Sequence, residues 1–365
     1  MRLAVSGCVH GCLNRLYDRC LQQKVDVLLC TGDFQGMRDV SDLASMAVTS
    51  HDKLKLGDFY SYFIGEKTAH VLTLVVGGNH ENSTFFCQMK DGGWLAPNIF
   101  FIGFSGIYKL GDLTIAGLSG IHKSYDYNKG YHERFPLNES DKRSIYHIRE
   151  FECSKISSYN GKIDILLTHD WPLDITFHGD ASQLFRIKPQ IREDAVNHRL
   201  GSPGISNIIQ GKKPTFCFAS HHHIKWGCTV RHADGSSSEF LALNHFERFP
   251  DKSFHVFDVD SSDSTLCYDP QWLAILKKSE SMFPNFKNTS FSDQQFVVSK
   301  DEVDSIEKLF PQFEIPFNWE ALLSVEPNPQ TVELRSRLQL PGNPWESHYW
   351  TCETLKSDLV KFSPL

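Results

Sequence analysis

Five short stretches place groups able to bind metal ions or move protons directly after apolar runs. They are Cys8 and His10 in SGCVHG, Asp33 in TGDFQ, Asn79 and His80 in GGNHE, His169 in THDWP, and His221 and His223 in SHHHI. Singly, each has a plainer role: a cysteine beside a strand packs as a small hydrophobe, and an aspartate in a glycine turn braces the backbone. A histidine ending a strand or standing in a run of three is often an ordinary one. The recurrence carries more weight. In an open α/β sheet, ligands gather at the carboxyl ends of the strands, so residues spread over roughly 200 positions can meet in one crevice. Two divalent ions about 3.5–4 Å apart need a donor shared between them and separate nitrogen, oxygen or sulfur ligands on either side. Asp33 is the carboxylate suited to bridging. GGNHE is the most specific stretch, because two glycines turn the chain tightly and an Asn, a His and a Glu follow in succession. In SHHHI an extended backbone sends His221 and His223 to one face and His222 to the other. His222 is therefore set aside, and His70, His122, His178, His198, His232 and His245 are likewise read as ordinary histidines.

The elements that must position these groups follow from hydrophobic periodicity. Residues 2–6, 25–30, 71–76, 98–104 and 113–120 are apolar runs of strand length, and Leu13, Leu16, Tyr17, Cys20 and Leu21 recur at helical spacing between the first two. This is an α/β opening. Residues 124–144 are polar and aromatic with neither period, and they read as a long loop of the kind that carries function in a compact domain. A helix is expected over about 145–159, a strand over 163–169, and further strands at 215–219, 226–231, 239–243 and 254–259, which implies a second sheet. Past about residue 265 the alternation fades into helical patches such as 302–309.

Composition bounds the function. At 365 residues the chain is long enough for about two domains, or one large core with additions. Hydrophobic residues at 41% and charged residues at 22% describe a globular protein and exclude disordered and collagen-like classes. With 37 Lys and Arg against 44 Asp and Glu, the formal charge of -7 argues against coating long nucleic acid through a broad basic face. Ten cysteines in a chain that opens MRLAVSGCVH, with no apolar leader, point to a reducing intracellular compartment rather than a disulfide framework. No apolar run approaches about 18 residues, so no membrane partner is expected.

In their order, the five stretches resemble the binuclear metallophosphoesterase superfamily, whose pattern runs Asp-x-His, Gly-Asp, Gly-Asn-His-Glu/Asp, His and Gly-His-x-His. Further blocks are similar to the RNA lariat debranching family within it: GCVHG with cysteine first, CTGDFQGMRD, GGNHENS, GGWLAPNIFFIG, LSGIHKSYDYNKG, RSIYHIR, LTHDWP, LGSP, FASHHHIK and YDPQWL. The likeness covers about residues 1–275. Where that family commonly has Ser-Ala before the last histidines, this chain has Ala219 and Ser220, a minor exchange that keeps the ligand spacing.

The resemblance implies an α/β fold, a metallophosphoesterase-type β-sandwich flanked by helices. It divides the chain into a catalytic domain over 1–265, with a lariat-recognition loop and following helix inserted at 124–158, and a C-terminal accessory region over 266–365. It assigns one metal to Cys8, His10 and His223 and the other to Asn79, His169 and His221, with Asp33 bridging. His80 is then the general acid that protonates the departing ribose oxygen while a metal-held hydroxide attacks. The implied reaction is hydrolysis of the 2′–5′ phosphodiester bond at the branch of excised intron lariat RNA, a step of mRNA processing and intron turnover, by a monomer in the nucleus.

Cysteine in place of the superfamily's first aspartate is the informative departure. A thiolate favours Zn²⁺ or Fe²⁺ over Mg²⁺, so two ions of Fe²⁺ and/or Zn²⁺ are expected, with Mn²⁺ as an in vitro substitute. Cys12, four residues on, brings a second thiol near enough in sequence for oxidation of Cys8 to matter. Arg38, Tyr125, Tyr127, Lys129, His147 and Arg149 are the expected substrate contacts, joined by Tyr131, Phe135, Lys123 and Arg134. The aromatic groups suit stacking on splayed bases and the cations suit phosphates, although the aromatics can instead pin a surface loop. The alternative activity is hydrolysis of another phosphodiester or a phosphomonoester. Protein Ser/Thr phosphatases carry an Arg before the Asn-His-Glu, and here Gly78 precedes Asn79. A non-catalytic scaffold of this fold loses ligands, whereas every expected position is filled. Two divalent ions also reconcile the acidic chain with a phosphate substrate, because a bound ion is often the largest local charge.

Overall fold

The computed structural model describes residues 1–48, 55–284, 296–317 and 329–343. Within them the apolar runs pair into two sheets. The first contains β1 (Arg2–Ser6), β2 (Val27–Cys30), β3 (Leu72–Val75), β4 (Gly93–Ala96), β5 (Ile99–Phe101) and β12 (Phe254–Asp258), in the order β12-β1-β2-β3-β5-β4. The second contains β6 (Ser105–Leu110), β7 (Leu113–Leu118), β8 (Ile165–Thr168), β9 (Phe216–Ala219), β10 (Trp226–Arg231), β11 (Ser237–Ala242) and β13 (Leu266–Tyr268), in the order β10-β11-β9-β8-β7-β6-β13. The centre of each is parallel: β1, β2, β3 and β5 in one, β7, β8, β9 and β11 in the other. Parallel strands are covered on both faces, which explains why their sequences are unbroken apolar runs.

Alternation along the strands divides the core. Leu3, Val5, Val27, Leu29 and Leu74 face the second sheet, where they join Ile107, Ile115 and Leu167, while Ala4, Leu28, Cys30 and Val75 face the helix Leu13–Gln23. That helix buries Leu13, Leu16, Tyr17 and Cys20, and it ends at Lys24 in a left-handed cap whose N–H bonds back to Cys20 and Leu21. Leu21, expected on the buried stripe, lies at the helix end and is exposed.

Three expectations need correction. The region 124–144 is not structureless, since it contains the short helices Ser124–Tyr127 and Asp141–Ser144, and Tyr131, Phe135 and Ile145 close over Cys87 in a small core of their own. The expected helix over 145–159 is confined to Glu150–Ser157, because Ile121 bridges His147 in a parallel β-contact and Arg149 is extended. The division at 265/266 does not separate two cores. β13 pairs antiparallel with β6, and Trp272, Leu273 and Ile275 of the helix Pro270–Glu280 lie in the same core as β1.

The helix Lys300–Leu309, started by a Ser299–Glu302 capping box, packs on the helix Pro270–Glu280, and a last described helix covers Pro329–Arg337. Arg335 ties these elements down from a position almost closed to solvent: it pairs with Asp91 and Glu280, both of which also bind Lys90. Asn343 donates to the carbonyls of Cys87 and Gln88, which end the helix Ser83–Gln88. Residues 285–295, 318–328 and 344–365 of the expected accessory region lie outside the described residues. Among those described, no helix is long and apolar enough to cross a membrane.

Candidate metal centre

Each of the five stretches leaves the carboxyl end of a parallel strand: Cys8 and His10 after β1, Asp33 after β2, Asn79 and His80 after β3, His169 after β8, and His221 and His223 after β9. Both sheets open onto one crevice. Ligand atoms of Cys8, His10, Asp33 and His223 lie within 4.8 Å of one another. On the other side, His169 Nε2 stands 3.2 Å from Asn79 Oδ1, and the His169 and His221 rings are 5.1 Å apart.

Asp33 faces both sets. Its Oδ2 is 3.5 Å from His10 Nε2 and its Oδ1 is 3.4 Å from His169 Nε2. Burial alone would raise this carboxyl, but the imidazoles of His169, His10 and His80 and the His80 N–H hold it well below the usual carboxylate range. Its position depends on two glycines. A Cβ on Gly32, which has φ +99°, would lie 2.3 Å from His169 Nδ1, and one on Gly78 would lie 2.3 Å from Asp33 Oδ1.

The imidazoles are held with one nitrogen turned into the crevice. His169 Nδ1 lies 2.7 Å from the Thr31 carbonyl, which can only accept, so Nδ1 carries a proton and Nε2 is the nitrogen turned toward Asn79 and Asp33. His10 Nδ1 lies 3.0 Å from the Gln35 side-chain amide, and its Nε2 is buried without a hydrogen-bond partner. Burial lowers the pKa values of His10 and His223 to about 4 and that of His221 to about 3. Burial, then Asp33, pushes the Cys8 thiol well up. A buried thiol, imidazoles whose free nitrogens converge and a carboxylate between them form a donor set that fits transition-metal ions, softer on the Cys8 side than an all-oxygen set.

The backbone bends hard to present these groups. His10, Asp33, Gln35, His221 and His223 have φ of 49°, 48°, 59°, 57° and 51°, a left-handed conformation that costs roughly 1–2 kcal/mol per non-glycine residue. The extended-strand argument that paired His221 with His223 therefore fails, since the turns send those two histidines to opposite sides of Asp33.

His80 stands apart from the ligands. Its ring centroid is 5.7 Å from that of His10, and Nδ1 lies 3.1 Å from the Ala47 carbonyl, so Nδ1 carries a proton and Nε2 is the reactive nitrogen. Its backbone N–H donates to Asp33 Oδ1 at 2.9 Å.

Two residues escaped the sequence reading. Glu81 is buried and accepts from the N–H groups of Phe34, Gln35 and Gly78 at 2.7, 2.8 and 2.9 Å, tying the Asp33 loop to the Asn79 loop. The Glu of GGNHE was its only signal. His245 was set aside as ordinary, yet its ring stacks on His10 at 4.2 Å and meets His223 edge-on at 5.0 Å. It arrives because the Phe246 N–H bonds to the Cys8 carbonyl, a long-range pairing with no local signature.

The expected substrate contacts fare unevenly. Arg149 is fully buried and donates to the Asp126 carbonyl and to Glu133, and His147 is buried with Nδ1 2.7 Å from an Asp126 carboxylate oxygen. Both hold the inserted region together. Arg38 makes a bidentate pair with Asp42 and covers the Phe85 ring, and Lys129 pairs with Asp126. Tyr127 is half-buried, with its ring edge-on to His122. Tyr125 is 62% exposed, the most exposed aromatic side chain of the six, with Lys129 Nζ over its ring at 5.9 Å and the His147 ring edge-on at 5.8 Å. A cleft of about 390 Å³, counting its open mouth, runs from Gly77 and Gly78 between Phe86, Phe104, Tyr131 and Tyr146.

Residues 1–225 match the family model described as calcineurin-like phosphoesterase. The chain is 36% identical to a lariat debranching enzyme of Arabidopsis thaliana over 369 residues, covering 93% of this chain and 87% of that one. It is 34% identical to a lariat debranching enzyme of Drosophila melanogaster, covering 88% and 70%. It is 40% identical to one of Homo sapiens over 298 residues, covering 77% of this chain and 54% of that one, about half the length of that relative.

Proposed function

The chain belongs to the calcineurin-like phosphoesterases and, within them, to the lariat debranching enzymes, and from that premise we propose that it hydrolyses the 2′–5′ phosphodiester bond at the branch of excised lariat RNA. The observation that carries the site assignment is the placement of Asp33, with one carboxylate oxygen toward His10 and the other toward His169. Cys8, His10 and His223 would hold one divalent ion, and Asn79, His169 and His221 the other, with Asp33 between them. When bound, the ions supply Lewis acidity and an activated water.

The side chains do the rest. Thr31 and Gln35 fix the rings of His169 and His10, so that the ligand nitrogens need little reorganisation. Glu81 locks the two loops that carry Asp33 and Asn79. His80, with Nδ1–H held by the Ala47 carbonyl, turns Nε2 outward as the nitrogen that would hand a proton to the departing ribose oxygen. The thiol of Cys8 makes Fe²⁺ or Zn²⁺ the preferred ion, with Mn²⁺ able to replace it. Tyr125 is the side chain of the inserted region best placed to stack on a base of the branched substrate. The family resemblance supports action in the nucleus as a monomer.

The test offers the metal-reconstituted protein branched RNA, linear RNA of the same composition and a small phosphate ester side by side. Branched RNA should be opened to linear product and linear RNA left intact. Equal turnover of linear and branched RNA would sink the debranching assignment.

A further inference from the structure

Two residues that this mechanism leaves unused stand directly beside it. Asp170 and His222 each follow a ligand of the Asn79 side, namely His169 and His221. His221 is the middle ring of a row, its centroid 5.1 Å from that of His169 and 4.7 Å from that of His222. An imidazole has a nitrogen on each of two edges, so a ring in this position can turn toward either neighbour.

His222 is held in place, with its ring edge-on to the buried Trp171 at 5.2 Å. Its Nε2 is closed to solvent and has no hydrogen-bond partner. That nitrogen lies 3.8 Å from Asp170 Oδ1, too far for a hydrogen bond, so a buried polar atom is left unmet. Asp170 is fixed in turn, since Oδ1 accepts from the Trp171 N–H at 2.8 Å and Oδ2 from the His122 N–H at 2.7 Å. Both oxygens keep a lone pair. One donor atom from each of Asp170, His221 and His222 lies within 4.8 Å of the others. Donors about 2.1 Å from a tetrahedral ion stand roughly 3.4 Å apart, so a small rotation of the two rings closes the set. Two imidazoles and one carboxylate suit Zn²⁺ or Fe²⁺ better than Mg²⁺.

We infer that Asp170, His221 and His222 form an accessory site for a transition-metal ion such as Zn²⁺, adjacent to the catalytic pair and competing with it for His221. The inference rests on His221 being a ligand of the Asn79-side ion, as proposed above. Filling the accessory site draws His221 away and leaves that ion with Asp33, Asn79 and His169. Excess metal is then inhibitory, and His222 decides how much excess is needed.

The full chain, stripped of metal, is titrated with Zn²⁺ against a chromophoric chelator while turnover of branched RNA is followed in parallel. Two tight equivalents and a weaker third are expected, with turnover falling as the third fills. His222→Gln should keep the first two equivalents and the turnover measured at two equivalents. Its third equivalent should weaken by about 100-fold or more, at least the loss seen when an outer partner of a metal site is removed. Excess Zn²⁺ should then no longer inhibit. Asp170→Asn should lose the third equivalent in the same way, which keeps the question answerable if either variant folds poorly. A native chain that takes only two equivalents, or a His222→Gln variant that binds the third as tightly as the native chain, overturns the accessory site. A native chain that binds fewer than two tight equivalents would instead overturn the two-ion reading. The binding measurement does not depend on which RNA is the substrate.

Discussion

The buried quartet of Lys90, Asp91, Glu280 and Arg335 allows a quantitative test of whether the residues past 265 belong to the catalytic fold. Two cations and two carboxylates share the site, all four side chains nearly closed to solvent, with Lys90 Nζ 2.8 Å from Asp91 and 3.0 Å from Glu280. Arg335→Met keeps the volume of the stem and removes the charge, leaving one buried carboxylate uncompensated. Breaking such a pair costs about 3–5 kcal/mol. At roughly 2 °C per kcal/mol, the low end of the scale and fitting for a chain of this length, Tm should fall by about 6–10 °C. Adding Glu280→Gln restores neutrality and should recover at least half of the loss, because the two changes share partners and do not add. The pH dependence has a definite sign. Burial would raise the Asp91 carboxyl, but Lys90 and Arg335 outweigh it and hold it below the ordinary range. That stabilisation is complete above the unfolded-state value of about 4 and is lost as pH falls through the lower folded value. The gap in Tm between native and variant chains should therefore be full at neutral pH and narrow below about pH 4. Thermal melts of both proteins from pH 3 to pH 8 measure it. A loss under about 1 kcal/mol, within the range of a solvent-exposed pair, would show that Arg335 does not close a buried network.

Three further outcomes concern the crevice. His80→Ala should retain both metal equivalents and lose about 10²–10⁴-fold in single-turnover rate on branched RNA; an unchanged rate would remove His80 from proton transfer. His245→Ala should weaken the Cys8-side ion by about 10–100-fold, the usual effect of removing an outer partner, whereas His245→Phe should keep the stack on His10 and most of the affinity; a Phe variant as weak as the Ala variant would refute stacking as the cause. Cys8→Asp should shift activation from Zn²⁺ and Fe²⁺ toward Mn²⁺ and Mg²⁺, read from turnover across a series of reconstituted metals, and an unaltered preference would show that the thiol does not set it.

What was legible in the sequence was what local chemistry signals. Polar groups after unbroken apolar runs marked all five crevice loops, with glycines in three of them, and strand-length runs marked most of both sheets. The short β4 and β13 lacked a run long enough to register. His245 was hidden because its place on His10 comes from a bond between the Phe246 N–H and the Cys8 carbonyl, residues far apart in the chain. Arg149 and His147 were read as phosphate contacts from their residue types alone; Asp126 and Glu133, from the polar stretch before them, pair with them in the interior. His221 and His223 were chosen by an extended geometry that the left-handed turns do not have. Residues 344–365 lie outside the described structure, so the far end of the expected accessory region has no structural counterpart here.

The five left-handed residues around the crevice set an order of events. Two rigid sheets hold the loop ends, but the loops between are under load, and the convergence of their donors opposes the backbone's own preference. With the loops tied by Glu81 and the rings held by Thr31 and Gln35, that backbone strain is met on folding, before any ion arrives, and the ion's affinity does not have to supply it; amide exchange near His10, Asp33 and His221 should therefore change little when metal is added. The same strain limits what can be improved. Glycine at any of these positions relieves the left-handed strain, but at His10, Asp33, His221 or His223 it deletes a donor in the same stroke. Only Gln35, which orients a ligand without being one, leaves room to separate the two effects.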